Sequence, residues 1–245
     1  RNILKNKYQV SIEDITEFDI KKLLGRNEII SNKNSNKFSQ LKNKNILVTG
    51  GAGSIGSEIV RQLSEIKPKS IHVIDNSEFA LSNFKIEFYH KSKNIFFKLL
   101  DVKDYSEMNE YIKNNNINLI FHTAAYKHVT MLEDNIKSAI NNNIFGTYNI
   151  LKAANKNLAN LILISTDKAV KPKNILGYTK RISEIICELF NDNKIDIKIV
   201  RFGNVFGSNG SAVPLFLKQL NNNLPISLTS YDAKRFFMTI REACY

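Results

Sequence analysis

The chain has 245 residues, 43% of them hydrophobic and 24% charged, enough to bury one sizeable core and unlike a disordered or low-complexity polypeptide. Its 35 Lys and Arg against 23 Asp and Glu leave a formal charge of +12. That excess is scattered among Asn and Ile and forms no basic block or aromatic-basic motif, so it reads as a solvated surface and not a nucleic-acid partner's footprint. Cys187 and Cys244 are the only cysteines, which excludes a disulfide framework or a cysteine-rich metal site and suits the reduced thiols of a cytoplasmic chain. No apolar run approaches the roughly 20 residues of a membrane span. The chain begins at Arg1 with neither a methionine nor a visible signal peptide, and reads as a piece of something longer.

Residues 1–41 read as an N-terminal segment and linker: Ile12, Ile15, Phe18, Ile20, Leu23 and Leu24 suggest short amphipathic turns, and Ser31 to Ser39 is polar. From residue 42 the pattern changes. Asn45 to Thr49 is a short apolar strand that runs directly into Gly50-Gly51-Ala52-Gly53-Ser54-Ile55-Gly56, after which Ile55, Ile59, Val60, Leu63 and Ile66 recur at helical spacing before Pro68. Strand, glycine turn and helix in that order form a dinucleotide fingerprint, with Gly50, Gly53, Ser54, Ile55 and Gly56 facing a pyrophosphate at the helix N-terminus. A second strand, Ser70 to Ile74, ends at Asp75, nineteen residues after the last glycine. A carboxylate there accepts hydrogen bonds from ribose hydroxyls and repels a 2′-phosphate, which favours NAD over NADP.

The alternation continues. Asn94 to Leu100 is a third strand ending at Asp101 and Val102, and Asn118 to His122 is a fourth, followed by the small residues Ala124 and Ala125. All four of these strand-end residues join the expected cofactor set. For Ala124 and Ala125, plain packing of the strand end explains their size equally well. Helices are predicted around 78–90, 104–115 and 133–157, and strands alternating with helices imply an α/β fold, a doubly wound parallel sheet of Rossmann type. Lys127 and His128 follow the alanines at the expected crevice.

The densest chemistry lies in the next stretch. Leu161 to Ile164 reads as a buried strand that delivers Ser165, Thr166, Asp167 and Lys168 at its carboxyl end, and a loop through Pro172 leads to a helix carrying Lys180. Ligands of open parallel sheets bind beyond the carboxyl ends of the strands, so a hydroxyl, a carboxylate and two amines gathered there suggest an active site. A further strand over 195–202, a loop from Gly203 to Ser211 and an amphipathic helix from Val213 begin a substrate-binding region at about residue 203, with too little chain before Tyr245 for a complete lobe. The NAD-binding domain is therefore taken as 42–245.

Taken together, TGGAGSIGSE at 49–58, AAYKHV at 124–129, NIFGT at 143–147, STDKAVKPKNILGYTKR at 165–181 and RFGNVFGSNGS at 201–211 resemble the UDP-N-acetylglucosamine 4,6-dehydratases of polysaccharide and glycan biosynthesis, a group of extended short-chain dehydrogenase/reductases. The resemblance runs from about residue 12 to the end. In one respect the chain departs from most short-chain dehydrogenases, whose active-site lysine is preceded four residues earlier by a tyrosine; here that position is Leu176. The long, membrane-anchored members of the dehydratase group carry methionine there, so Leu176 resembles that branch. Tyr178 faces elsewhere on the helix and does not replace the missing group.

The resemblance implies a redox-neutral dehydration of UDP-N-acetylglucosamine or a related UDP-sugar: oxidation at C4 by bound NAD, removal of the C5 proton, loss of the C6 hydroxyl and return of hydride to C6. It implies Lys168 as the C5 base, Asp167 as the acid at the C6 oxygen, Thr166 as hydrogen-bond partner of the C4 oxygen and Lys180 on the nicotinamide ribose. It also implies substrate contacts from Lys127, His128, Asn204, Ser211 and Arg235, no metal, a homo-oligomer, and a parent protein at the cytoplasmic face of a membrane, anchored through segments outside this chain. Two other functions stay open: a UDP-sugar 4-epimerase, which needs no acid–base pair at C5 and C6, and a non-catalytic NAD-binding module, consistent with Leu176.

Overall fold

Short aliphatic runs bounded by Gly, Asp or Asn become strands wherever both faces can be covered, and here six of them do so. In the computed structural model, which describes residues 24–29, 38–89, 93–190, 194–208, 210–227, 232 and 235–245, the strands are β1 (Asn45–Thr49), β2 (Ser70–Asp75), β3 (Ile95–Leu99), β4 (Leu119–His122), β5 (Asn160–Thr166) and β6 (Ile197–Phe202). All pair in parallel in the order β3-β2-β1-β4-β5-β6. The chain builds outward from β1 to β3, then returns to the other side of β1, so the order reverses between β1 and β4. That reversal opens a crevice at the strands' carboxyl ends. The turns expected at Ile12, Ile15, Phe18, Ile20 and Leu23, and most of the linker expected from Ser31 to Ser39, lie outside the described residues.

The alternation of side chains along each strand sorts the core into two layers. Leu47, Ile74, Ile120, Leu161 and Leu163 pack with Met108 and Ile112 of α3 (Tyr105–Asn114) and with Ile150 and Leu151 of α6 (Gly146–Lys156). On the opposite face Ile46, Val48, Ile71 and Val73 pack with Ile59, Val60 and Leu63 of α1 (Ser54–Ile66) and Leu81 and Phe84 of α2 (Glu78–Ile86). The doubly wound parallel sheet read from the sequence is thus the fold observed.

One predicted helix is not continuous. In place of a single helix over 133–157 the chain forms α4 (Val129–Asp134), breaks at Asn135 (φ −132°, ψ 49°), resumes as α5 (Ile136–Ala139), widens into a π-helical turn over Ile140–Phe145, and only then enters α6. Within the π turn lies Asn143, 1% exposed, whose side chain accepts the Tyr126 N–H at 2.8 Å and donates to the Tyr126 carbonyl at 3.0 Å. Its own carbonyl accepts the hydroxyls of Thr147 and Ser183, both at 2.7 Å. Side-chain partners on both groups favour the wider turn.

The described residues divide into two compact units: those of Asn32–Phe202 with Cys244–Tyr245, which hold the sheet, and those of Arg1–Ser31 with Gly203–Ala243. In the second, β7 (Asn204–Val205) pairs in parallel with β8 (Phe237–Met238), and α8 (Ala212–Asn221) follows the Gly203–Ser211 loop. The buried Glu242 carboxylate there takes a forked pair of bonds from Arg26, at 2.6 and 3.2 Å, and the backbone N–H groups of Ile29 and Thr239. These bonds, the Arg26 one foremost, hold its carboxyl at about 2.

Candidate active site

At the carboxyl end of β1 the chain turns through Gly50 at φ +61°, a conformation that side chains disfavour. A Cβ on Gly50 would lie 2.7 Å from the Ala124 Cα, so the turn and the end of β4 touch backbone to backbone. The expected role of Ala124 is therefore partly one of packing; its N–H also donates to the Thr49 hydroxyl at 3.3 Å. After Gly53 helix α1 begins at Ser54 with no side-chain cap, leaving its first-turn amides for an anion. Asp75 stands under the turn, accepting the Ala52 N–H at 3.1 Å through one oxygen and the Ser77 N–H at 3.0 Å through the other. Asp101 accepts the Lys103 N–H at 2.9 Å and the Asn76 amide at 3.3 Å; burial would raise its carboxyl, but these bonds and the Lys103 ammonium hold it below the usual range. Val102, expected on the cofactor, instead turns its side chain into the core against Gly146, which leaves only its backbone for a ligand.

The second half of the site grows from β5. Thr166 caps a 3₁₀ turn, Asp167–Ala169, by accepting the Lys168 N–H at 3.4 Å. The Thr166 hydroxyl donates to Asp167 Oδ1 at 3.0 Å, and the Lys168 ammonium donates to the same oxygen at 3.1 Å. Three consecutive residues thus form one hydrogen-bonded group, with the Asp167 side chain 51% exposed and that of Lys168 33% exposed. Burial would raise the Asp167 carboxyl, yet the bonds from Lys168 and Thr166 outweigh it and hold the carboxyl below its ordinary value.

Helix α7 (Ile175–Leu189), whose first turn rests on the Lys168 backbone, carries Lys180. Its start is fixed by Asn174, whose side chain accepts the Gly177 N–H at 2.8 Å, and by Glu133 of α4, which accepts the Ile175 N–H at 2.9 Å. A Cβ on Gly177 would stand 2.6 Å from the Lys168 carbonyl oxygen, so only glycine lets the helix rest against the Asp167–Ala169 turn. Lys180 is 6% exposed, and its ammonium makes no hydrogen bond within the described residues. Burial pushes it down to about 8. Behind it, His122 of β4 is buried between the hydroxyls of Thr49 (2.7 Å) and Thr147 (3.0 Å), and desolvation foremost, helped by the Lys180 charge, lowers it to about 3.

Leu176, where most short-chain dehydrogenases place tyrosine, is 6% exposed and packs with Leu132 and Ala139. The position is filled by core and offers no titratable group. Tyr178 points outward, 53% exposed. Lys127 and His128 are exposed at the start of α4, and partial desolvation lowers the Lys127 ammonium from its usual range. Asn204, Ser211 and Arg235 belong to the second unit, where the Asn204 N–H donates to the Phe236 carbonyl at 3.1 Å and the Ser211 hydroxyl is buried with no partner among the described residues.

Asn143, His122, Glu184 and Arg201 bond at the site as well and lie outside the set expected from the sequence. Glu184 had a signal, an acid one helical turn beyond Lys180 within the apolar run Ile182 to Cys187. The residues fit a dinucleotide: a glycine turn that a Cβ would fill, uncapped amides behind it, a carboxylate at the end of β2 and a buried ammonium with no hydrogen-bond partner among the described residues.

Comparison with known proteins adds a family to this geometry. Residues 46–245 match the family described as polysaccharide biosynthesis protein. The chain is 40% identical over 226 residues to the probable polysaccharide biosynthesis protein EpsC of Bacillus subtilis, covering 90% of this chain and 38% of that protein. It is 36% identical over 241 residues to the capsular polysaccharide biosynthesis protein CapD of Staphylococcus aureus, covering 96% and 40% respectively. It therefore spans about two fifths of the length of these relatives. A UDP-glucose 4-epimerase of Rickettsia canadensis is 32% identical, over 80% of this chain and 59% of that protein. Among solved structures, Pen from Bacillus thuringiensis superposes with a TM-score of 0.79 at 35% identity, covering 83% of this chain and 63% of that one. The dTDP-glucose 4,6-dehydratase DesIV from Streptomyces venezuelae, with NAD and TYD bound, gives 0.74 at 22% identity and 82% coverage of this chain against 69% of its own, a likeness of fold.

Proposed function

The chain belongs to the polysaccharide biosynthesis protein family, and from that premise we propose that it is the NAD-dependent catalytic part of a nucleotide-sugar 4,6-dehydratase acting on UDP-N-acetylglucosamine or a related UDP-sugar. The observation that carries this reading is the bonded group Thr166-Asp167-Lys168 at the end of β5, beside a helix that holds core-packed Leu176 in place of tyrosine. When bound, the dinucleotide supplies reversible hydride storage. Gly50, Gly53 and the first turn of α1 would hold its pyrophosphate, Asp75 a ribose, and Lys180 the nicotinamide ribose, where its positive charge also eases loss of the C4 hydroxyl proton.

Asp167 and Lys168 share one proton, resident on the lysine in the ion pair. Its movement across the 3.1 Å bond to Asp167 arms both groups at once, as a neutral amine and a carboxylic acid. Closing a sugar over the half-exposed pair removes water and favours that neutral form. Lys168 then takes the C5 proton, acidified by the neighbouring C4 ketone, while Asp167 gives its proton to the C6 oxygen as the C6–O bond breaks and water leaves. Lys168 returns its proton to C5 as C6 is reduced, and the proton released from the C4 hydroxyl restores the pair. Thr166, bonded to Asp167, presents its hydroxyl to the C4 oxygen.

Incubation with UDP-N-acetylglucosamine and NAD in heavy water is expected to give a nucleotide sugar lighter by one water and carrying deuterium at C5. The epimerase relative supports a second reading, which the same experiment separates: inversion at C4 with no loss of mass and no deuterium at C5. A sugar left unchanged by a preparation that binds NAD would overturn both in favour of a binding module.

A further inference from the structure

Glu184 is 0% exposed, yet it is ionised and fully engaged. Its Oε1 accepts the Ser165 hydroxyl at 2.5 Å and Arg201 Nε at 2.9 Å; its Oε2 accepts Arg201 Nη2 at 2.7 Å and Arg181 Nη1 at 3.2 Å. Burial alone would raise this carboxyl, but the bonds from Arg201, Ser165 and Arg181 hold it at about 2. The three elements it joins matter more than the count of bonds. Ser165 immediately precedes Thr166 on β5, Arg201 lies opposite Ser165 in the β5–β6 register, and Glu184 sits one turn beyond Lys180 on α7. One carboxylate therefore ties the last residue before the catalytic turn to the helix that carries the buried ammonium.

Its charge has a second consequence. Among the described residues, the titratable groups whose charge bears on Lys180 are Cys187 and Glu184 on its own helix and His122 on β4. His122 is neutral above about 3, and burial pushes the Cys187 thiol up to about 12, so neither is charged near neutral pH. Among the described residues Glu184 is the anion left to oppose the desolvation of Lys180.

We propose that Glu184, clamped by Arg201, is a positioning residue of the reaction, fixing Thr166, Asp167 and Lys168 relative to Lys180 and setting its negative charge one helical turn from the Lys180 ammonium. The kinetic part of this proposal rests on the dehydratase reading; the electrostatic part does not. Glu184→Gln keeps the shape and removes the charge. In it kcat is expected to fall about 10- to 100-fold with KM for the UDP-sugar within about threefold, the pattern of misplaced catalytic groups and not of lost binding. The alkaline limb of the kcat profile should move about one pH unit lower, as Lys180 loses its proton earlier. Arg201→Lys keeps both charges but loses the forked bond, and kcat should drop about tenfold with that limb unmoved.

The same chains labelled with ¹³C at lysine Cε, with the Lys180 signal identified by its loss in Lys180→Arg, report the Lys180 titration directly and need no turnover. Its midpoint should fall in Glu184→Gln. An unmoved midpoint overturns the electrostatic claim whether or not sugar is converted, and unchanged kcat in both variants overturns the positioning claim while leaving the dehydratase reading intact. A wild-type chain that converts no sugar, but whose Lys180 midpoint falls in Glu184→Gln, would sink the dehydratase reading and keep the charge relation.

Discussion

The two halves of the candidate site are built from different material. Around β1 and β2 the ligand-facing surface is backbone: the turn at Gly50, the uncapped amides of α1, and a carboxylate, Asp75, that itself bonds backbone N–H groups. Around β5 and α7 it is side chains held by other side chains, with Thr166 and Lys168 on Asp167, and Ser165 and Arg201 on Glu184. A backbone site needs small residues at fixed spacing and tolerates no Cβ. A side-chain site needs distant partners to orient it and tolerates changes of shape better than changes of charge. The two halves should therefore fail differently when altered.

The largest effect is expected in the side-chain half. Lys168→Ala and Asp167→Asn each remove one end of the shared proton and should lower turnover of the UDP-sugar about 10³- to 10⁴-fold, while NAD affinity stays within about twofold of wild type. Steady-state rates with a parallel NAD titration check this. A matching collapse of NAD binding would mean that the halves are not separable. In the backbone half Gly50→Val forces a branched side chain into positive φ, at the Ala124 Cα. It should cost about 2–3 kcal/mol in denaturant unfolding and weaken NAD at least about tenfold, with no change in the pH profile of whatever turnover remains. An unchanged NAD affinity would show that the turn is structural only.

The same division explains what the sequence disclosed. The glycine turn, Asp75 and the six strands were legible because each depends on residues within one strand–turn–helix unit. Thr166, Asp167, Lys168 and Lys180 were legible because they fall at one strand's end and on the next helix. Glu184 and Arg201 were not: their meaning lies in the β5–β6 register, which residues 17 apart in sequence do not announce. Asn143 was hidden for a related reason, since its partners Tyr126, Thr179 and Ser183 come from other segments, and the π turn it supports interrupts what periodicity reads as one helix over 133–157. Val102 shows the reverse case, a strand-end residue expected at the ligand whose side chain goes to the core and whose backbone alone is left to meet one.

Between the halves stands His122, bonded to Thr49 of β1 on one side and Thr147 of α6 on the other. Its native value of about 3 lies below the ordinary 6.5, so as pH falls the unfolded chain takes up a proton that the fold refuses, and stability is lost from about pH 6.5 downward until about 3. His72, lowered by burial to about 4, adds the same dependence over 6.5 to 4. Each should contribute about 1.4 kcal/mol per pH unit in its window. Glu184 and Glu242, held at about 2, add theirs only below 4.5. Urea unfolding at pH 7, 6 and 5 tests the order: a flat stability down to pH 5 would place neither histidine in the buried neutral state.

The smallest effect sharpens the comparison most, because it asks whether a side-chain site can be completed by its missing member. Leu176→Tyr restores the residue that most short-chain dehydrogenases carry four before the lysine. Here that side chain lies 6% exposed among Leu132, Ala139, Val129 and Ile175, in the first turn of a helix whose start is fixed by Asn174 and Glu133. The larger ring has to displace packed neighbours, so the expected outcome is a loss of about 1–2 kcal/mol in unfolding free energy and no gain in kcat. The phenol would be buried in an apolar cluster, where desolvation raises its pKa and leaves it without the anion that a base requires. A rise in kcat with a new acid limb in the pH profile would mean instead that α7 can turn residue 176 toward the crevice. The backbone half offers no comparable rescue, since a turn at positive φ is completed only by removing a side chain.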